Sequence, residues 1–349
     1  MHQVIYKVRF WISVHLLALV MATSAIAQKT DIIMLDNGDR LTGEIKNLRN
    51  GKLELKTDNM STVYIKWYHI TQIKSDKSFK IELEDGSIYY GTISPAEQDF
   101  KITVVSSDTT ASHLYKNSVV WIMPIKRTFW QRLNGSVATG FNYTKASDVA
   151  KFDLSANTVY KSRISHVSIS LSSVITAQPS RETAQRNNAT LEYIRFLQHR
   201  WSVVASASSE QNTELGIDLR LSGGLSGARN IVQTNENWLY VWGGLQTNRE
   251  WVNGAKESNN NFELPIGLNF SRFRYDAPEI DLSSSLKTYV NLTTKGRYRL
   301  EFDTTLMWKF IKNFTLNFKP YLSYDTKPPS EDAAKSDFGI TFSIGWSFG

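Results

Sequence analysis

In the stretch RYRLEFDTTLMWKF, Arg297, Arg299, Glu301, Asp303 and Lys309 stand at odd positions, while Leu300, Phe302, Leu306, Trp308 and Phe310 stand at even ones. A period of two puts the charges on one side of an extended strand. Charges of both signs on one wall have two chemical uses. They can line a wet path and act on passing ions, or they can pair with one another and fill the space. Asp281, Lys287 and Asn291 share a face of the preceding segment in the same way. Asp153, Asp218, Arg220, Lys319 and Asp337 fall at polar positions of other alternating segments. These charged residues other than Arg297 become lumen-lining candidates if the apolar faces point outward.

Histidine and serine would support a different chemistry, lipid hydrolysis or acyl transfer. In this part of the chain the histidines are His166 and His199, each at or beside an expected tight turn and neither in a nucleophile motif. No catalytic residue is expected, and the chain is not read as an enzyme. His69 and His113 stand apart from any carboxylate-histidine ligand spacing, so neither a metal nor a cofactor is expected.

The elements that must hold the charged rows are strands. From Leu133 onward, twelve alternating segments lie near 133–144, 150–161, 164–177, 187–197, 200–209, 214–225, 231–246, 261–273, 278–292, 296–310, 313–325 and 336–348. Phe152, Leu154, Ala156, Thr158 and Tyr160 form one apolar face, and Leu215, Ile217, Leu219 and Leu221 another. The last segment carries Phe338, Ile340, Phe342, Ile344, Trp346 and Phe348 on one side, with small residues between them.

Alternation alone fits a soluble sandwich or a membrane barrel. Connection lengths favour the barrel. The links QPSRETAQRN, TNREWVNGAKESNN and DTKPPSEDAAK are long, whereas Lys161-Ser162-Arg163, Gln198-His199 and Ile311-Lys312 are tight. Long loops at one end and tight turns at the periplasmic end are the habit of outer-membrane barrels. Strands of about ten residues suit a tilted span, and aromatics near the strand ends suit interfacial girdles. The expectation is an all-β chain with a C-terminal antiparallel transmembrane β-barrel of about twelve strands, its last strand pairing with its first so that no edge stays open in hydrocarbon.

Ahead of it, LDNGDRLTGEI (Leu35 to Ile45) returns as LEDGSIYYGTI (Leu83 to Ile93) at a spacing of 48 residues, from Gly38 to Gly86. Each copy reads as strand, glycine turn, strand, followed by further alternating strands to Ile73 and Ile122. The repeated pattern resembles the opening strands of SH3-like or Sm-like small barrels, which implies a small duplicated β-module. Its aromatics Trp67, Tyr68, Tyr89 and Tyr90 are candidates for a periplasmic protein or glycan patch, with burial in the module's own core as the plainer alternative.

At the start, Lys7 and Arg9 precede an apolar run from Phe10 to Ala22 and then Ala25-Ile26-Ala27. The run is too short to span a bilayer, and the pattern predicts a signal peptide cleaved after Ala27. The chain then divides into 1–27 (signal peptide), 28–126 (module) and 127–349 (barrel). Cysteine is absent, so an exported fold must hold without disulfides. The formal charge of +7 falls to +5 without Lys7 and Arg9 (7 − 2), and the basic residues are scattered, which argues against a nucleic-acid partner.

The stretch GSVATGFNYTKASDVAKFDLSANTVYKS (Gly135 to Ser162), the leader and the aromatic final strand together resemble the domain-of-unknown-function family of salt-induced outer-membrane proteins. The resemblance covers roughly Leu133 to Gly349. It implies an outer-membrane barrel of a Gram-negative-type bacterium, surrounded by outer-membrane lipid and recognised by the barrel assembly machinery. That machinery reads a terminal aromatic residue, and here Phe348 is followed by Gly349, a departure from the pattern. Two roles remain: a structural, envelope-maintaining barrel with a docking module, or a narrow pore for small polar or charged solutes.

Overall fold

The computed structural model describes residues 30–96, 101–106, 108–178, 181–213, 217–252, 259–311, 313–327 and 335–348. The leader expected over 1–27 lies outside them. Among the described residues the chain is all-β and forms two antiparallel sheets joined by one short helical turn.

The first sheet contains β1 (Asp31–Leu35), β2 (Arg40–Arg49), β3 (Lys52–Lys56), β4 (Thr62–Lys66), β5 (Ile70–Leu83), β6 (Ile88–Pro95), β7 (Lys101–Val105), β8 (Ala111–Tyr115) and β9 (Val119–Pro124). The duplication is visible in its turns. Gly38 (φ 87°) and Gly86 (φ 86°) hold the left-handed conformation that glycine adopts without a Cβ penalty. Around them the same two hydrogen bonds recur: Leu35 N–H to Asp39 O and Gly38 N–H to Leu35 O, then Leu83 N–H to Ser87 O and Gly86 N–H to Leu83 O. Each copy ends in a 3-10 turn, Trp67–His69 and Lys116–Ser118, followed by a strand.

The long strand β5 serves both copies. Its first half pairs with β1 (Ile33 opposite Ile73), and its second half pairs with β6 and β9 (Ile81 opposite Tyr89 and Ile122). One apolar core results, drawing Ile33, Ile45, Leu48 and Leu55 from the first copy and Phe79, Ile93, Ile102 and Ile122 from the second. The 3-10 turns lock onto each other, since Trp67 Nε1 donates to Lys116 O at 3.0 Å and Lys116 Nζ donates back to Tyr68 O and Ile70 O. Neither copy buries this much alone, which is the physical reason for two.

After α1 (Phe129–Arg132), whose first turn is closed by a Thr128–Gln131 capping box, the second sheet begins. Its strands are β10 (Leu133–Thr144), β11 (Val149–Lys161), β12 (Ser165–Gln178), β13 (Arg181–Phe196), β14 (Trp201–Asn212) and β15 (Ile217–Gln233). They continue as β16 (Asn237–Val252), β17 (Asn259–Arg274), β18 (Glu279–Asn291), β19 (Tyr298–Ile311), β20 (Phe314–Asp325) and β21 (Ser336–Trp346), each antiparallel to the next.

Four expectations change. QPSRETAQRN and TNREWVNGAKESNN are not simply loops, because β13 already begins at Arg181 and β16 runs on to Val252. The segments expected at 214–225 and 231–246 likewise extend to Gln233 and start at Asn237. A ladder satisfies backbone groups whatever the side chains, so polar residues can extend a strand beyond its apolar band. The face drawn through Ile217, Leu219 and Leu221 is broken by a register shift between Ile217 and Leu219. Finally, the closing pair is missing: among the described residues no ladder joins β21 to β10.

Candidate functional site

The register identifies the concave side of the second sheet. Along β17, Glu263, Pro265 and Gly267 are buried while Phe262, Ile266 and Leu268 are exposed. Glu263 stands opposite Asn291, and its row continues across the ladders to Arg299 (opposite Tyr289), Glu301 (opposite Lys287) and Asp303 (opposite Ser285). The same row reaches Ser323 and Asp337, and Lys319 opposite Thr341. Lys309 stands opposite Glu279, and Asp281 opposite Phe273 and Met307. Asp153, opposite Val174, and Arg220, opposite Glu210, belong to the same side. Asp218 sits at the β15 register shift between Ile217 and Leu219, where the irregularity interrupts the alternation that would assign it a side.

Most of these charges meet a partner of opposite sign. Arg299 Nη2 reaches Glu263 Oε2 at 2.7 Å, Lys287 Nζ reaches Glu301 Oε2 at 3.8 Å, Arg220 Nη1 reaches Glu210 Oε2 at 2.8 Å and Lys309 Nζ reaches Glu279 Oε1 at 3.4 Å. Arg297 binds Asp325 at 2.7 Å, Lys151 lies 3.2 Å from Asp153, and Tyr321 donates to Asp337. Arg299 also lies over the Tyr289 ring, 4.4 Å from its centroid. Glu263, Glu210 and Glu279 were not among the sequence candidates. The alternation of Glu263 with Pro265 and Gly267 would have pointed to the first of them.

One half of the interior is bulky. Trp238, Tyr240 and Trp242 share the inward row of β16, and Trp242 donates to Asn269 Oδ1 at 3.0 Å. The indole lies so close over Gly267 that a Cβ there would sit 2.3 Å from it. His166 packs edge-on against Phe196, and its buried Nε2 has no hydrogen-bond partner. His199 sits in a tight turn at φ 55°. Among the described residues no hydrogen bond links either histidine to a serine, and no cluster of metal-ligating side chains forms.

The tight-turn end of the sheet is occupied by the first sheet. Among the described residues, four of its tight turns make contacts. On the β11–β12 turn, Arg163 stacks on Tyr90 at 4.2 Å. On the β13–β14 turn, Arg200 Nη2 donates to Leu83 O at 3.0 Å and to Glu84 O. On the β15–β16 turn, Asn235 Nδ2 donates to Val119 O at 2.9 Å and Asn117 O at 3.3 Å. On the β17–β18 turn, Tyr275 donates to Asn50 O at 2.7 Å and accepts Lys66 Nζ at its carbonyl at 2.6 Å, while Tyr68 bonds Asp276. Arg49 goes furthest in. Its guanidinium lies 4.3 Å from the Trp238 ring and 5.8 Å from that of Trp121.

Close fit and burial tune this interface. A Cβ on Gly51 would stand 2.7 Å from Asn235 O, so only glycine allows the β2–β3 turn to seat. Burial pulls the Arg49 guanidinium and the Lys80 ammonium below their ordinary values and pushes the Glu82 carboxyl up. Lys80, Glu82, Trp121, Phe196, His199 and Arg200 surround a cavity of about 60 Å³ between the sheets. The four aromatics considered as a common patch are separated. Trp67 is core, Tyr89 packs on that core, and Tyr68 and Tyr90 face the barrel turns.

Comparison with curated proteins found no match. A family model matches the second sheet almost end to end, over residues 135–348. The match covers more than half of the chain and all but the ends of the twelve-stranded antiparallel sheet, so the chain belongs to the family described as protein of unknown function, DUF481.

Proposed function

We propose that this is an outer-membrane barrel protein with a structural, envelope-maintaining role, exported by a cleaved leader and closed at its periplasmic mouth by its own N-terminal module. The observation that carries this reading is the docking of the module on four tight turns, with Arg49 inserted beside Trp238. Outward apolar residues such as Phe342 and Ile344 give the barrel a lipid-compatible face. Paired inward charges supply cohesion and need no passing solute. The module's strand order, with a 3-10 turn before each last strand, fits the SH3-like resemblance. Neither a catalytic nor a nucleic-acid role is part of this reading, and the module's docking partner is first of all the barrel itself.

The inward charged row favours a second reading, a narrow pore for small ions. Planar-bilayer conductance separates the two. Inserted full-length protein is expected to be silent. Arg49→Ala, which removes two buried ring contacts worth about 2 kcal/mol, is expected to produce discrete openings as the module loosens. Openings in the unmodified protein, with an ion preference that shifts on Arg299→Glu and Lys309→Glu, would overturn the capped reading and establish the pore.

A further inference from the structure

We propose that the seam between β10 and β21 is a lateral gate, through which the polar head of a membrane amphiphile enters the barrel interior while its acyl chain stays in the bilayer. The proposal rests on the outer-membrane reading above. Every residue of both strands is described, yet no ladder joins them, and the most open apolar side chains of the sheet's strands lie on these two edges. Val137 is 75% exposed, Phe141 73% and Phe338 72%, against 59% for Leu245 on the interior strand β16. β10 rises from the capped end and β21 descends to it, so the two edges have the antiparallel sense that direct pairing needs. Unpaired edges are costly in hydrocarbon, so the closed state of the gate is this same ladder, zipped.

The inward side of the seam would add little to such a ladder. Along the middle of the two edges its positions are small, with Ser136, Ala138 and Gly140 on β10 and Thr341, Ser343 and Gly345 on β21. They offer neither the ion pair that joins β18 to β19 (Lys287–Glu301) nor bulky cross-strand contacts. Packing does not demand glycine at two of them, since a Cβ on Gly140 or Gly345 would meet nothing closer than 3.8 Å. Glycine in a strand interior weakens the strand and leaves room for another molecule.

The occupant follows from the routes left open. The module occupies the periplasmic mouth, and Trp238, Tyr240 and Trp242 on β16 fill the wall opposite the seam, so the seam is the opening that joins the membrane directly to the space behind it. A molecule standing in that gap has hydrocarbon on one side. On the other it meets hydroxyls and the unpaired N–H and C=O groups of both edges. An acyl chain with a hydrogen-bonding head satisfies both, whereas a free ion or a wholly apolar solute satisfies only one.

The test uses full-length protein, which has no native cysteine, in vesicles of phosphatidylethanolamine and phosphatidylglycerol doped with a phosphatidylethanolamine bearing a diazirine on its head group. Ala138→Cys with Thr341→Cys places one thiol near the middle of each edge on the inward side. Irradiation of the reduced protein should label the inward β12 residues Ser168, Ser170 and Ser172, and forming the disulfide beforehand should cut that label at least tenfold. Gly140→Val with Gly345→Val, which strengthens the ladder without a thiol, should reduce it in the same direction. Protein that fails to float with the vesicles overturns the outer-membrane reading and the gate with it. Protein that floats but is labelled only on outward residues, or equally with the seam locked, overturns the gate alone.

Discussion

The two sheets use one sequence signal in opposite senses. In the module, alternation turns the apolar side inward: Phe79 is wholly buried. In the barrel it turns the apolar side outward: Phe342 is 57% exposed, and Arg299 and Glu301 lie within. A period of two states which residues share a face and nothing about which face is inside. That second decision belongs to strand length and number. Five-residue strands such as β3 and β7 curl into a unit small enough to fill with isoleucine and leucine, whereas strands of eleven to seventeen residues enclose a space that polar groups and water must fill.

The largest expected effect breaks the module side. Phe79→Ala empties the centre of a core shared by both repeats and should destabilise the module by about 3–5 kcal/mol. Urea unfolding of the full chain followed by the fluorescence of Trp67 and Trp121 would show it as a separate early transition. An unchanged midpoint would mean that the two repeats do not share one core.

The barrel side is tested by its inverse. Leu306 lies near the middle of β19 and points outward, while its neighbour Met307 points inward opposite Asp281. Leu306→Arg should cost about 2–4 kcal/mol of insertion, as a basic residue does near a bilayer midplane, and Met307→Arg should cost far less. The yield of heat-modifiable, membrane-inserted protein reads both. If the ranking came out reversed, the inside and outside of β19 would be exchanged, and every inward residue named above with them.

Much of this was legible in advance, and what was not has two causes. The twelve strands, the duplicated hairpins at Gly38 and Gly86 and the shared face of Arg299, Glu301 and Asp303 all follow from local pattern. Strand ends did not. Apolar alternation fades where polar residues such as Arg181 to Arg186 continue the ladder, since backbone pairing needs no apolar side chain. The partners of the charged row were hidden for a different reason: Glu263 meets Arg299 across an intervening strand, and nothing local in either segment encodes the other. Arg49 at the end of β2 and the turn residues Asn235 and Tyr275 were invisible for the same reason, since their roles exist only once the module seats on the barrel.

The smallest effect compares the two repeats with each other. In the first, the Asp36 amide donates to His69 O at 2.9 Å. In the second, the Glu84 amide donates to Ser118 O at 2.8 Å, so the backbone contact between hairpin and 3-10 turn is duplicated. The side chains differ. Asp36 Oδ2 lies 2.6 Å from His69 Nδ1, and Ser118 replaces that histidine in the second copy. The hydrogen bond from His69 holds the Asp36 carboxyl below its ordinary 3.8. A carboxyl depressed on folding stabilises the folded state fully above its unfolded value, and that contribution is lost as pH falls through the lowered folded one. Acidification from pH 5 to below that value should therefore reduce hydrogen-exchange protection at the Asp36 amide more than at Glu84, the internal control. In Asp36→Asn the two amides should respond alike. Equal responses in the unmodified protein would show that the side-chain pair adds nothing to the backbone contact that both repeats share.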